Sequence, residues 1–114
     1  MDRLNTIEFD DFLKVELCTG TITAAKLNPK ARQASYILSI DFGEKGTRIS
    51  SAQLTANYAA EELVGKQIVA VMNFAPKRIA GVKSEVLVLG AVCPKHGVVL
   101  LEPSYKVNNG VPIA

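Results

Sequence analysis

Apolar positions along this chain alternate with polar ones in short runs far more often than they recur at helical spacing, so the pattern predicts many strands and little helix. The clearest run is SYILSIDFG, where Tyr36, Leu38, Ile40 and Phe42 alternate with Ile37, Ser39 and Asp41, as in a strand with one face on a core. The glycine-bounded turn GEKGT leads into RISSAQL, a third strand with Arg48 and Ser50 on one side and Ile49 and Ser51 on the other. Strands two and three are expected to form a hairpin. Ahead of them, VELCTGTITAAKL is rich in β-branched residues and places Gly20 where one long first strand can bend around a barrel; NPKARQAS is the loop that follows.

Beyond RISSAQL the period changes. NYAAEELVGK reads as a helix, with Asn57 as its expected N-cap, Glu61 and Glu62 early and Gly65 at the stop position. QIVAVMNF returns to strand, NFAPKRIAGVKS is a basic loop, EVLVLGAV is a fifth strand, and HGVVLLEP is a short sixth one turned by Lys95-His96-Gly97. At the front, TIEFDDFLKV sets Ile7, Phe9, Phe12 and Leu13 among acids, one or two amphipathic helical turns; at the back, SYKVNNGVPIA is turn-rich. Strands with one helix between the third and fourth predict an all-β, OB-fold five-stranded barrel with short N- and C-terminal extensions, residues 1–114 forming a single domain. An SH3-like barrel or small β-sandwich accommodates the strands but accounts less well for the helix.

Composition adds limits. At 48% hydrophobic and 21% charged residues, the chain is globular in kind. It has no apolar run of the roughly 18–20 residues that cross a bilayer, and its acidic start lacks the form of a signal peptide, so a cytoplasmic location is expected. Cys18 and Cys93 are expected to be buried free thiols. The one histidine, His96, lies in a turn; Glu61 and Glu62 are explained by the helix dipole; Cys93 and His96 make only half of a zinc site; and no phosphate-loop motif is present. Neither an enzyme nor a metal or other cofactor is expected.

The net charge of +2 conceals an uneven distribution, because residues 1–25 hold two cations against five acids while residues 26–83 hold nine cations against four. Each cation alone reads most simply as a solubilising surface group. If the barrel is right, however, Lys30 and Arg32 of the first loop, Arg48 of strand three, and Lys77, Arg78 and Lys83 after strand four converge on one groove suited to phosphates. Ser50, Ser51, Gln53, Asn73 and Ser84 supply neutral hydrogen-bonding groups beside them. Tyr36, Phe42 and Phe74 are expected in the core, which leaves Tyr58 and Tyr105 as loose candidates for base stacking.

Four stretches together, DDFLKVELCTGTI, RISSAQLT, YAAEELVGKQIVAVMNFAPKRIAGVKSEVLVLG and GVVLLEPSYKVNNGVPI, resemble the tRNA-binding domain that occurs alone or appended to methionyl- and tyrosyl-tRNA synthetases, most closely its stand-alone bacterial CsaA branch. The resemblance spans nearly the whole chain. It implies an OB barrel that forms a homodimer and binds tRNA by shape and backbone rather than by anticodon. It also implies an alternative role, a holding chaperone that receives unfolded or precursor polypeptides of the export route in an apolar groove. Carried over by position, the family's RNA-binding residues fall on Arg48, Ser50, Ser51 and Gln53 in strand three and on Asn73, Lys77, Arg78, Gly81, Ser84 and Glu85 in the basic loop, with Lys83 beside them. Synthetase-linked members read Ser-Glu-Gly-Met where this chain has Ser84-Glu85-Val86-Leu87. Glu85, an acid among cations, is expected to orient a neighbouring arginine or backbone amide rather than to meet phosphate.

Overall fold

The computed structural model describes residues 5–114. Its elements are α1 (Phe9–Leu13), β1 (Leu17–Leu27), β2 (Tyr36–Asp41), β3 (Thr47–Ala52), α2 (Ala60–Leu63), β4 (Gln67–Val71), β5 (Lys77–Ile79), β6 (Val82–Ser84), β7 (Leu87–Val88), β8 (Gly90–Cys93) and β9 (Gly97–Leu100). The main sheet runs β3-β2-β1-β4-β7, antiparallel throughout, and curls into a nearly closed barrel of the expected all-β kind. β1 is long enough to serve two partners: Leu17–Thr21 pair with β4 and Thr21–Leu27 with β2.

The turn in β1 lies at a register shift between Ile22 and Ala24, where one extra residue sharpens the twist, and not at Gly20. Gly20 answers a different need. A Cβ there would lie 2.6 Å from the Phe42 ring and 2.8 Å from Ile40 Cγ2, so only glycine lets these two side chains fill the barrel. Around them Ile22, Leu38, Leu63 and Ile68 are wholly buried. Leu63 is the single buried residue of α2, and sealing it under the barrel stabilises by roughly 1.5–3 kcal/mol.

α2 is shorter than the sequence predicts, and Asn57 does not cap it. The Asn57 and Tyr58 amides both donate to Leu54 O, at 3.3 and 3.1 Å, forming a separate turn, and the Asn57 side chain donates to Val98 O at 2.8 Å. Ala59 takes the N-cap place instead, its amide donating to the Glu62 carboxylate at 2.9 Å. Gly65 ends the helix as expected, at φ 94°, and donates to Ile22 O at 2.7 Å.

EVLVLGAV is not one strand. Leu89 donates to Val69 O at 2.9 Å and accepts from the Leu101 amide at 3.2 Å, after which the chain leaves the barrel and β8 pairs only with β9. The pair packs tightly at Gly90, where a Cβ would meet Val98 Cγ1 at 2.6 Å. The Cys93 thiol, at the end of this hairpin, is half-buried rather than buried; Cys18 is fully buried, and both are free.

Two further connections complete the barrel. The free edge of β3 meets Ser84–Val86: Glu85 N–H donates to Ile49 O (2.8 Å), Ile49 N–H to Glu85 Oε1 (3.0 Å), Ser51 N–H to Ser84 Oγ (3.0 Å) and Ser50 Oγ to Val86 O (3.0 Å). Side chains thus stand in for backbone acceptors along the closing seam. At the other end, the C-terminal segment runs beside β1, with Thr19 N–H donating to Val111 O (3.1 Å), Gly110 N–H to Thr19 O (2.7 Å) and Ile113 N–H to Leu17 O (3.0 Å). Gln67 clamps Val107 from both sides, accepting its amide at 3.0 Å and donating to its carbonyl at 2.7 Å.

Candidate nucleic-acid interface

The stretch read as a basic loop folds as a β-hairpin, β5 and β6 joined by Ala80-Gly81 with φ of 48° and 82°. Positive φ at both turn residues matches the right-handed twist of the strands, although alanine adopts it at a cost that asparagine or glycine avoids. The register sorts the cations. Arg78 faces across to Lys83, so these two share one face, while Lys77, Ile79, Val82 and Ser84 share the other.

The first loop is built to meet this hairpin. The Asn28 amide donates to Ser35 O at 2.9 Å, its side chain accepts from Lys30 N–H at 3.0 Å, and its amide group donates to Ala80 O at 3.3 Å. One nearly buried asparagine thereby folds the loop and ties it to the hairpin tip. Lys30 lies over that tip: a Cβ on Gly81 would stand 3.4 Å from its Cδ and 3.8 Å from its Nζ.

Between loop, hairpin and β3 runs a groove of two connected recesses that share Ser51 and Ile79. One, about 400 Å³, is lined by Phe74, Lys77, Ser84 and Leu87 among others; the second, about 310 Å³, is lined by Arg32, Gln33, Ser35, Gln53 and Ala80. Among the described residues the ion pairs are Lys45–Glu16 at 2.7 Å and Lys14–Asp11 at 3.4 Å, so no carboxylate neutralises Lys30, Arg32, Lys77, Arg78 or Lys83.

The residues singled out from sequence separate into groups. Ser51 and Gln53 line the groove, whereas Arg48 and Ser50, paired with Ile40 and Leu38, turn to the inner face of β3. Ser50 is 1% exposed and spends its hydroxyl on Val86 O. Ser84 and Glu85 form the closing seam, and the partner expected for Glu85 is the backbone amide of Ile49. Asn73 accepts from Glu16 N–H at 2.8 Å and donates to Lys14 O at 2.7 Å, clipping the end of β4 to the segment before β1. Lys77, Arg78 and Lys83 are exposed on the hairpin, and the Arg78 guanidinium reaches Gly81 O at 3.3 Å.

Phe74, expected in the core, is 54% exposed and walls the larger recess. Tyr58 is engaged, its hydroxyl accepting from Leu100 N–H at 3.0 Å. Gln33, Ser35 and Ile79 were not marked by the sequence; only their place between turn signals and cations distinguishes them. Away from the groove, burial pushes the Cys18 thiol above its ordinary value of 9.0, and the hydrogen bond that Lys45 donates to the Glu16 carboxylate raises Lys45.

Comparison with known proteins agrees with this geometry. The chain resembles the crystal structures of the chaperone CsaA from Bacillus anthracis (51% identity, TM-score 0.91, covering 96% of this chain and 99% of that one) and of the CsaA chaperone protein from Picrophilus torridus (44%, 0.90, 96% and 100%). A methionine–tRNA ligase from Methanococcoides burtonii is 36% identical over 107 residues, 94% of this chain; this chain spans only 16% of that ligase. The family model described as a tRNA binding domain matches residues 17–112, and the chain belongs to that family.

Proposed function

We propose that this chain is a noncatalytic, cytoplasmic tRNA-binding module, a single domain over residues 1–114, that holds the RNA backbone in its groove and acts as a homodimer. The observation that carries the reading is the groove itself: Arg32 and Lys77 line it around a floor of neutral hydrogen-bonding groups, Ser51 and Gln53, Lys30 lies over the hairpin tip beside it, and Arg78 and Lys83 stand on the hairpin's other face, all five without carboxylate partners among the described residues. A-form RNA hides its bases in a deep major groove, so Lys30, Arg32, Lys77, Arg78 and Lys83 contact phosphates while hydroxyl and amide groups reach ribose. Of the candidates, Asn73, Ser84 and Glu85 contribute by shaping the groove, and Arg48 and Ser50 by supporting it from inside the barrel.

Replacement of Lys77 and Arg78 by Glu abolishes tRNA retention in a gel shift. With about five phosphates engaged, the logarithm of the affinity falls with the logarithm of salt concentration at a slope of about −4. Absence of binding at low salt would sink the reading, and a salt-independent complex would sink its phosphate contacts.

The homodimer is supported by α1, which buries none of its residues and leaves Phe9 and Leu13 exposed beside Ile113, with Ile7 exposed just ahead of the helix. Phe9→Glu with Leu13→Glu gives a monomer by light scattering if this face joins two copies; an unchanged mass removes that assignment.

A second reading, a holding chaperone, is favoured by Phe74, Ile79 and Leu87, exposed apolar side chains around the larger recess. An extended unfolded or precursor polypeptide would lay side chains there. The Lys77 and Arg78 reversal leaves suppression of client aggregation intact under this reading, while Leu87→Asp removes it.

A further inference from the structure

The smaller recess differs in chemistry from the rims that surround it. Its floor is Ser51 of β3 and Gln53 just beyond the strand, one wall is the loop with Arg32, Gln33 and Ser35, and the other is Ile79 and Ala80 at the hairpin tip. Cations dominate the rims, but inside are two amides, two hydroxyls, one planar guanidinium and an apolar surface. Phosphate is served best by clustered cations and backbone N–H groups. Neutral groups able both to donate and to accept, set beside a flat cation and an aliphatic wall, suit the edge and face of a nucleobase.

Ser35 points to a missing partner. It is 3% exposed, lines this recess, and its Oγ is the one buried side-chain polar atom without a hydrogen-bond partner among the described residues. A buried hydroxyl left unpaired is costly, and such groups in native proteins are normally satisfied. The walls that hold it are fixed before any ligand arrives, because Asn28 ties loop to hairpin and Ser84 ties β3 to the hairpin's return strand.

We infer that this recess receives one unstacked nucleobase of the bound RNA, read at its edge by Gln33, Gln53 and Ser35 and covered on its face by Arg32 and Ile79. The inference rests on the RNA-binding reading above and adds to it: phosphates are held at the rims without regard to sequence, while one position is sensitive to base identity. An outward rotation of the exposed Arg32 or Gln33 side chain opens the way to Ser35.

The test uses the full chain and single-stranded RNA heptamers of one base each, beside an all-abasic strand of equal length and a duplex RNA. Wild-type protein binds at least one homopolymer roughly tenfold more tightly than the abasic strand, the value of one good edge contact. Gln33→Ala, at an exposed position on the loop wall, brings that difference within about twofold while duplex affinity and salt slope stay unchanged. Ser35→Ala narrows the difference as well. Equal binding of all single strands by the wild type overturns the inference, as does an equal loss for abasic and base-bearing strands in the glutamine variant, which would mark a phosphate site. Failure to bind tRNA or any probe at low salt instead overturns the RNA-binding reading on which it stands. If Ser35→Ala raises stability and leaves the preference intact, Ser35 is removed from the site.

Discussion

Glu85→Ala discriminates between a residue that meets RNA and one that holds the barrel shut. In the structure its carboxylate accepts the Ile49 amide at 3.0 Å, and its own amide donates to Ile49 O at 2.8 Å. Truncation removes only the first bond and leaves the Ile49 N–H unpaired on a half-buried edge. A hydrogen bond to a charged group contributes about 1.5–3 kcal/mol; with both residues partly exposed, water recovers some of this, and the expected loss is about 1–2 kcal/mol. For a domain of this size that lowers the melting temperature by about 4–8 °C. Glu85→Gln keeps an acceptor in place and retains more than half of the stability difference. Urea unfolding followed by circular dichroism gives the free energies, and a gel shift under folded conditions gives tRNA affinity, expected to stay within about twofold for both variants. Unchanged stability in Glu85→Ala together with a tenfold fall in affinity would refute the seam and return Glu85 to the RNA contact set.

Gly20→Ala drives a methyl into the Phe42 ring, which would stand 2.6 Å away, and costs about 2–3 kcal/mol by urea midpoint; a shift smaller than 0.5 kcal/mol contradicts the packing. Ala80→Asn relieves the positive φ of 48° at the hairpin turn and raises stability by about 0.5–1 kcal/mol, whereas a loss shows that the turn has another conformation. In the native protein at pH 8, a thiol reagent modifies the half-buried Cys93 and spares Cys18 until the barrel opens; equal rates for the two contradict the burial of Cys18. Because burial raises the folded pKa of Cys18 above 9.0, its neutral form favours the fold below that pH, and stability declines as pH rises through the raised value; Cys18→Ala, compared with wild type in urea at pH 8 and pH 10, shows a smaller decline.

Tyr36–Phe42 was legible because one strand face alternates cleanly into a core, and Gly65 because a helix stop needs positive φ. The barrel order followed from placing α2 between the third and fourth strands. Other features depend on partners distant in sequence. Nothing near Asn57 reveals that its side chain is taken by Val98, and the alternation of RISSAQL allows either face to be inside until β2 fixes Ser50 opposite Leu38. The cations were found by type, but their division into Arg78 with Lys83 and Lys77 apart required a two-residue turn that Ala80, unlike asparagine, does not announce. Ser84 and Glu85 drew notice as polar groups beside cations, a property shared by ligands and seam acceptors alike.

The C-terminal segment gives the chain an unusual folding schedule. Thr19 belongs to the first strand, yet it is bonded to Val111, and β1 needs β2, β4 and residues 107–113 before its hydrogen bonds are complete. During synthesis the opening strand must wait with one edge bare while almost all of the chain emerges. Such distant contacts slow the final step of folding and leave an adhesive edge available to other copies in the meantime. A Cβ at position 110 would stand 2.5 Å from Phe42 O, so the cover over that edge depends on a glycine there.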